Sequence, residues 1–139
     1  MRRPVLVDTS ALVALYLEDD AEHQRAADTL AGLRVKKRSL LATTDVFDET
    51  VTLVRRWGGY AHAIRAGEAL RQSRILEVVQ VSDGDREAAW SLFKEYKNLE
   101  LSFTDCTSAA IMSRLELEEV FTFDSDFREF GYTSIPDRH

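Results

Sequence analysis

Short apolar runs alternate along this chain with longer stretches of helical pattern, and that alternation restricts the fold more than any other feature. "PVLVD" (4–8), "LLAT" (40–43), "ILEVVQV" (75–81) and "EVFTF" (119–123) read as short buried strands, and a last short strand is expected near 132–135. Between them the sequence predicts helices over 9–17, 20–38, 44–57, 60–74, 83–97 and 104–116, with Gly58 and Gly59 dividing the third from the fourth. Strands that alternate with helices imply a parallel sheet covered on both faces. The expected fold is therefore a three-layer α/β/α sandwich. With two prolines, six glycines, no repeat and no low-complexity segment, no linker is visible, and residues 1–139 are expected to form a single domain.

The charge balance narrows the function. Eighteen basic against 24 acidic side chains leave a net charge of −6, which argues against a protein that coats nucleic acid with a broad basic surface. A metal and a local basic patch remain open as routes to RNA or DNA. Cys106 is the only cysteine, so no intrachain disulfide forms and a reducing cytoplasmic setting is expected. None of His23, His62 or His139 is spaced to pair with it, and a buried core thiol is the simpler reading. The opening "MRRPVLVDTSALVALYLEDD" mimics a signal peptide, but Asp8 interrupts its apolar run and acids follow it. No apolar stretch is long enough to span a membrane.

Four carboxylates fall where a site would be built. Ligands of open α/β sheets bind beyond the carboxyl ends of the strands. Asp8 follows "VLV" and Asp124 follows "VFTF" at two such ends. In the helix 44–57, Val46, Phe47, Val51, Leu53, Val54 and Trp57 form an apolar face, with Asp48 and Arg55 opposite it in solvent. Glu49 lies at the margin of that face, with Asp45 and Arg56 on the same flank. A half-buried acid there is costly without a partner, so Glu49 outranks Asp48. In "LSFTDCTSAA" (101–110), Ser102 and Asp105 fit a helix capping box, and the small residues after Asp105 are expected to bring that helix close to the strand carrying Asp8. Four acids sharing one volume would repel each other unless a cation intervened. An all-oxygen donor set suits Mg²⁺ or Mn²⁺, and no His/Cys cluster suggests zinc.

The ordered set "VLVDTSALVALYL", "TTDVFDETVTLVRR", "LSFTDCTSAAIM" and "VFTFDSDF", covering nearly the whole chain, resembles PIN-domain ribonucleases, most closely the toxins of VapBC-type toxin–antitoxin pairs. The resemblance implies a PIN-like α/β/α sandwich, its parallel sheet of about five strands, and metal-dependent cleavage of RNA. It implies that Asp8, Glu49, Asp105 and Asp124 are catalytic metal ligands for Mg²⁺ or Mn²⁺. It further implies a small VapB-like antitoxin as partner, and a homodimer. "FDSDF" offers Asp126 as an alternative fourth acid, either capping the turn that follows or reaching the metal through water. Thr9 and Thr104 resemble family positions that hold water at the metal, or else cap their helices. Arg56 either contacts phosphate or forms an ion pair within its helix. The run "RVKKR" (34–38) is read as complementing a helix dipole rather than as meeting RNA.

Three rival classes are weaker. A phosphoacceptor receiver module would need adjacent acids after the first strand and a late lysine, and neither is present. A nucleotide-binding domain would need a G-x-G-x-x-G or P-loop, and the chain has none. A catalytically inactive PIN-like interaction module is opposed by the presence of all four acids, and a nuclease with a housekeeping role in RNA processing differs from the toxin reading only in use.

Overall fold

The structure, a computed structural model, describes residues 2–137, so His139 lies outside the described residues. In chain order the elements are β1 (Val5–Val7), α1 (Thr9–Tyr16), α2 (His23–Val35), β2 (Leu40–Thr43), α3 (Thr44–Gly58), α4 (Tyr60–Gln72), β3 (Leu76–Val79), α5 (Asp83–Glu95), α6 (Phe103–Arg114), β4 (Glu119–Phe121), a 3₁₀ turn (Ser125–Phe130) and β5 (Thr133–Ile135). The five strands form one sheet in the order β3-β2-β1-β4-β5, and every pairing is parallel. This is the expected sandwich.

Alternation along the strands sends side chains to two separate cores. Val5, Val7, Leu40, Ala42 and Phe121 pack with Leu12, Ala26, Val46 and Leu70 from α1 to α4. Leu6, Leu41 and Val120 pack on the other face with Ile111 and Met112 of α6 and Phe127 of the 3₁₀ turn. β1 and β2 are buried at every position, because helices cover them on both sides. The chain winds from β1 through β2 to β3 in one direction and then returns to place β4 on the other side of β1. The exits of β1 and β4 therefore flank the topological switch point, where open sheets leave a crevice.

Several boundaries differ from expectation, each for a local reason. α2 begins at His23, because the Asp20 carboxylate accepts the Glu22 N–H at 2.8 Å and holds a turn ahead of the helix. It ends at Val35, where Lys37 adopts φ 56° and reverses the chain. Arg38 consequently turns inward and donates to Glu119 at 2.6 Å and to the Arg3 carbonyl at 3.0 Å, instead of serving the α2 dipole. The break after α3 uses both glycines. Gly59 has φ 93°, and a Cβ on Gly58 would meet Leu17 at 2.7 Å. Trp57 leaves the apolar face of α3 and is 64% exposed, and buried Thr50 stands with Val46 and Val54 instead. Helix α6 makes its close approaches to α5, α3 and β2, the neighbour of the strand that carries Asp8. Its small residues Cys106–Ala110 are all buried there.

Candidate metal centre

Asp8 is the residue after β1 and the N-cap of α1, and it is only 2% exposed. Its Oδ2 accepts from the Thr122 hydroxyl at 2.8 Å and the Ser10 hydroxyl at 3.0 Å, whereas Oδ1 is buried with no hydrogen-bond partner. Burial without a cation pushes its carboxyl up to about 6, against the hydrogen bonds from Thr122 and Ser10 that favour the charged form.

Asp105 comes from α6. It forms the expected capping box, donating its N–H to Ser102 Oγ and accepting the Ser102 N–H at Oδ2, both at 3.0 Å. The capping reading of this residue holds, and the same carboxylate also faces two other acids. Burial, then the charges of Asp8 and Asp124, push its carboxyl up to about 7. Asp124 follows β4 and caps the 3₁₀ turn, with its Oδ1 accepting from the Asp126 N–H at 2.9 Å. The capping role expected for Asp126 thus belongs to Asp124. Asp126 is the donor of that bond, and its own carboxyl is raised by burial and by Asp124, Glu100 and Glu129.

One carboxylate oxygen from each of Asp8, Asp105 and Asp124 lies within 4.8 Å of the others. The protein holds one oxygen of each through hydrogen bonds and leaves the second without a protein partner among the described residues. Asp8 Oδ1 is the informative atom, since a buried anionic oxygen without a donor is costly and marks a place for a cation. Three carboxylate oxygens from separate elements, two of them on groups whose charged form burial disfavours, fit a hard divalent cation.

Glu49 does not join that cluster. It lines the same cleft of about 510 Å³ from the α3 side, beside Leu53 and Trp57. Thr9 also lines it; its hydroxyl is buried without a partner and makes no capping bond, so the cap reading fails for it. Thr104 is not the cap of α6 either, since Ser102 takes that place. Arg56 is exposed and has no ion pair among the described residues, so the expected intrahelical pair is not formed. Asp45 turns away to Arg86 and Thr107. Cys106 is a buried free thiol, raised to about 11 by burial and the nearby Asp105, as a core cysteine should be.

The structure adds residues that sequence reasoning passed over. Ser10 and Thr122 form a small network around Asp8: Ser10 Oγ also accepts the Phe123 N–H at 2.9 Å, and Thr122 Oγ1 accepts the Asp124 N–H at 2.9 Å. Ser10 was within reach of sequence reading, two residues past Asp8 in the first turn of a helix. Asp20, Glu22 and Glu100 also line the cleft, so seven carboxylates (with Asp8, Glu49, Asp105 and Asp124) and no basic side chain line it, while Arg25 stands beside it, paired with Glu22 at 3.1 Å and lying over the Phe123 ring. Nothing in the local sequence of these three acids announces that placement.

Comparison with known proteins follows the same line. A model of the PIN domain family matches residues 5–131. The chain belongs to the PIN domain family. Among relatives of this PIN domain, the 23S rRNA-specific endonuclease VapC20 of Mycobacterium tuberculosis is 32% identical over 131 residues, which cover 94% of this chain and 97% of that protein. The same figures hold for VapC20 of a second strain. The crystal structure of VapC20, described as a sarcin–ricin-loop-cleaving toxin, superposes with a TM-score of 0.84 at 32% identity, covering 93% of this chain and 96% of that one.

Proposed function

We propose that this PIN domain is a metal-dependent endoribonuclease that hydrolyses RNA phosphodiester bonds, acting as one domain and as the toxin of a toxin–antitoxin pair. The observation that carries the reading is the cluster of Asp8, Asp105 and Asp124, three carboxylates from three separate elements meeting at the sheet's switch point with no basic residue among them. Asp8, Asp105 and Asp124 would hold Mg²⁺ or Mn²⁺. When bound, such an ion lowers the cost of ionising water and neutralises charge on phosphate oxygens.

The chain's own residues do the rest. Thr122 and Ser10 hold the Asp8 carboxylate in one orientation, and the Ser102 N–H does the same for Asp105, so the donor oxygens need no rearrangement to bind. Hydrolysis also needs a base to take a proton from water as the new P–O bond forms and the P–O bond to the leaving ribose oxygen breaks, that oxygen taking up a proton from solvent. Glu49, in the cleft but outside the cluster, suits that role at its carboxylate oxygens better than direct ligation. The inactive-module alternative is disfavoured because every acid of the family pattern is present and reaches one cleft. VapC20 shares nearly the full length of the chain, which supports RNA as substrate and a small VapB-like antitoxin as partner; a homodimer and a cytoplasmic setting belong to the same proposal. No helix among the described residues is long and apolar enough to cross a membrane. The direct test is cleavage of RNA by the purified protein with Mn²⁺ or Mg²⁺ and with excess EDTA. Undiminished cutting in EDTA, or none with either ion, would overturn the proposal.

A further inference from the structure

A cleft walled by seven carboxylates, of which Arg25 neutralises only Glu22, gives RNA little electrostatic reason to approach, even after one cation is bound. The attraction for phosphate has to lie elsewhere on the molecule. The opposite end of the sheet supplies it. Strand register pairs Val5 with Leu40 and Leu40 with Leu76. Arg3, Arg38 and Arg74 each stand two residues ahead of their strand, at the entries of β1, β2 and β3, and paired strands lie about 4.8 Å apart. The Arg38 bond to the Arg3 carbonyl and the Leu40 N–H bond to the Ile75 carbonyl, at 3.0 and 2.8 Å, tie these entries together.

The two sides of this row differ. Toward β4, acids neutralise it: Glu119 takes Arg2 and Arg38, and Glu116 takes Arg3. Toward β3 there is no such relief. Lys36, Lys37, Arg71 and Arg74 are exposed and form no ion pair among the described residues. Arg71 and Arg74 flank a groove of about 690 Å³ at the entries of β1 to β3, whose one acid is Glu77. In a chain of net charge −6, Arg71 and Arg74 on the groove, with Lys36 and Lys37 ahead of the neighbouring strand β2, put four unpaired cations at one end of the sheet, a local reversal of sign.

Resting on the reading that the substrate is RNA, we infer that the Lys36–Lys37 reversal and the Arg71/Arg74 groove form a second RNA-backbone contact, at the end of the sheet opposite the acidic cleft. From Arg3 to Asp8 the strand runs about 16 Å through the sheet at about 3.3 Å per residue, and helices cover both faces, so a ligand must go round them and only a large RNA engages both sites. The patch contacts phosphates and reads no bases; it holds a large folded RNA while the acidic cleft acts on one exposed segment of it.

The test compares wild type with the exposed-surface variant Lys36→Gln/Lys37→Gln/Arg71→Gln/Arg74→Gln. Binding to a long structured RNA is measured in EDTA over a salt series, and cleavage of a short single-stranded oligonucleotide is measured in Mn²⁺. The variant is expected to bind the long RNA at least about tenfold more weakly near physiological salt, and the slope of log K against log salt to shrink by about 3. Its cleavage of the short oligonucleotide should match wild type. Unchanged long-RNA affinity overturns the inference, as does an equal loss per charge in Lys94→Gln/Lys97→Gln, which would make the effect one of net charge alone. If the variant keeps RNA but loses a polyglutamate peptide that wild type binds, the patch serves an acidic protein and the inference also fails. Because binding is read without metal, a protein that binds through the patch but never cuts refutes the nuclease reading alone.

Discussion

Helices α5 and α6 begin with the same device and put it to opposite ends. Ser82 and Asp85 form a reciprocal capping box at the start of α5, and Ser102 and Asp105 form another at the start of α6. Both aspartates are buried, at 3% and 7% exposure. Arg114 reaches Asp85 with two bonds of 2.8 and 3.0 Å and holds its carboxyl down at about 2. Asp105 has no such partner; burial and two other acids push it up to about 7. An identical S-x-x-D box is thus a satisfied structural cap in one place and an electrostatically frustrated group in the other. The cap explains why each aspartate is tolerated, and only the neighbours explain what it is for.

The sharpest way to break the comparison is to neutralise each aspartate while keeping the capping oxygen. Asp105→Asn is expected to reduce RNA cleavage in Mn²⁺ to background with unchanged circular dichroism, as is Asp8→Asn. Asp85→Asn should keep the wild-type rate per folded molecule, as should Asp48→Asn on the exposed face of α3. If Asp85→Asn and Asp105→Asn lose cleavage equally, the two boxes do not differ in function.

Acidity separates them next. Asp8 and Asp105 have folded-state values of about 6 and about 7, above the ordinary carboxyl value of 3.8, so the folded protein binds more protons than the unfolded chain between those limits. Stability then falls as pH rises from about 4 through 7, by on the order of a few kcal/mol for the pair when no metal is present. Asp85 has the opposite sign: its contribution is complete above 3.8 and is lost as pH falls through about 2. Thermal melts in EDTA should therefore show wild type melting higher at pH 5 than at pH 7.5, with Asp105→Asn flattening the difference and Asp85→Asn preserving it. Equal wild-type melting at the two pH values would mean that the acid cluster carries no unrelieved repulsion.

Metal should remove that repulsion. Mn²⁺ at about 100 times its Kd is expected to stabilise wild type by about 2.7 kcal/mol. The same gain is expected for Asp85→Asn, and far less for Asp105→Asn or Asp124→Asn. A melting shift common to all four proteins would exclude Asp105 and Asp124 as ligands. The smallest effect belongs to the quiet box. Asp85→Asn should cost about 1–2 kcal/mol in denaturant melts, toward the low side for a charged hydrogen bond because the outer half of Arg114 is in water. A loss as small as a few tenths would mean that the ion pair adds nothing to the cap.

Much of this was legible beforehand. Alternating strands and helices predicted the parallel sandwich, since crossovers of helical length leave few other topologies. Asp8 and Asp124 were visible as acids ending strands, and Asp105 as an acid opening a helix of small residues. Glu49 was found from its place on the α3 wheel, and it does reach the cleft. The same wheel misplaced Trp57, because it describes a helix in isolation and cannot know that the chain turns at Gly58 and leaves that ring at the rim of the cleft. Arg38 was misjudged for a related reason. A basic run after a helix looks like a complement to its dipole until the chain reverses at Lys37 and brings Glu119 within reach.

What the sequence determined by itself is whatever depends on near neighbours: which segments become strands and helices, where they are capped, and which acids stand at strand exits or helix starts. Backbone hydrogen bonding and side-chain periodicity are settled within a few residues, so a linear reading contains them. The tertiary structure alone decided which charges meet. It set Arg114 against Asp85 from 29 residues away, brought Thr122 to Asp8 across 114, and gathered Asp20, Glu22 and Glu100 around a cleft whose lining holds no basic side chain. Coulomb interaction and desolvation depend on distance and burial in space, not on separation along the chain, and that is why two identical capping boxes carry carboxyls at about 2 and about 7.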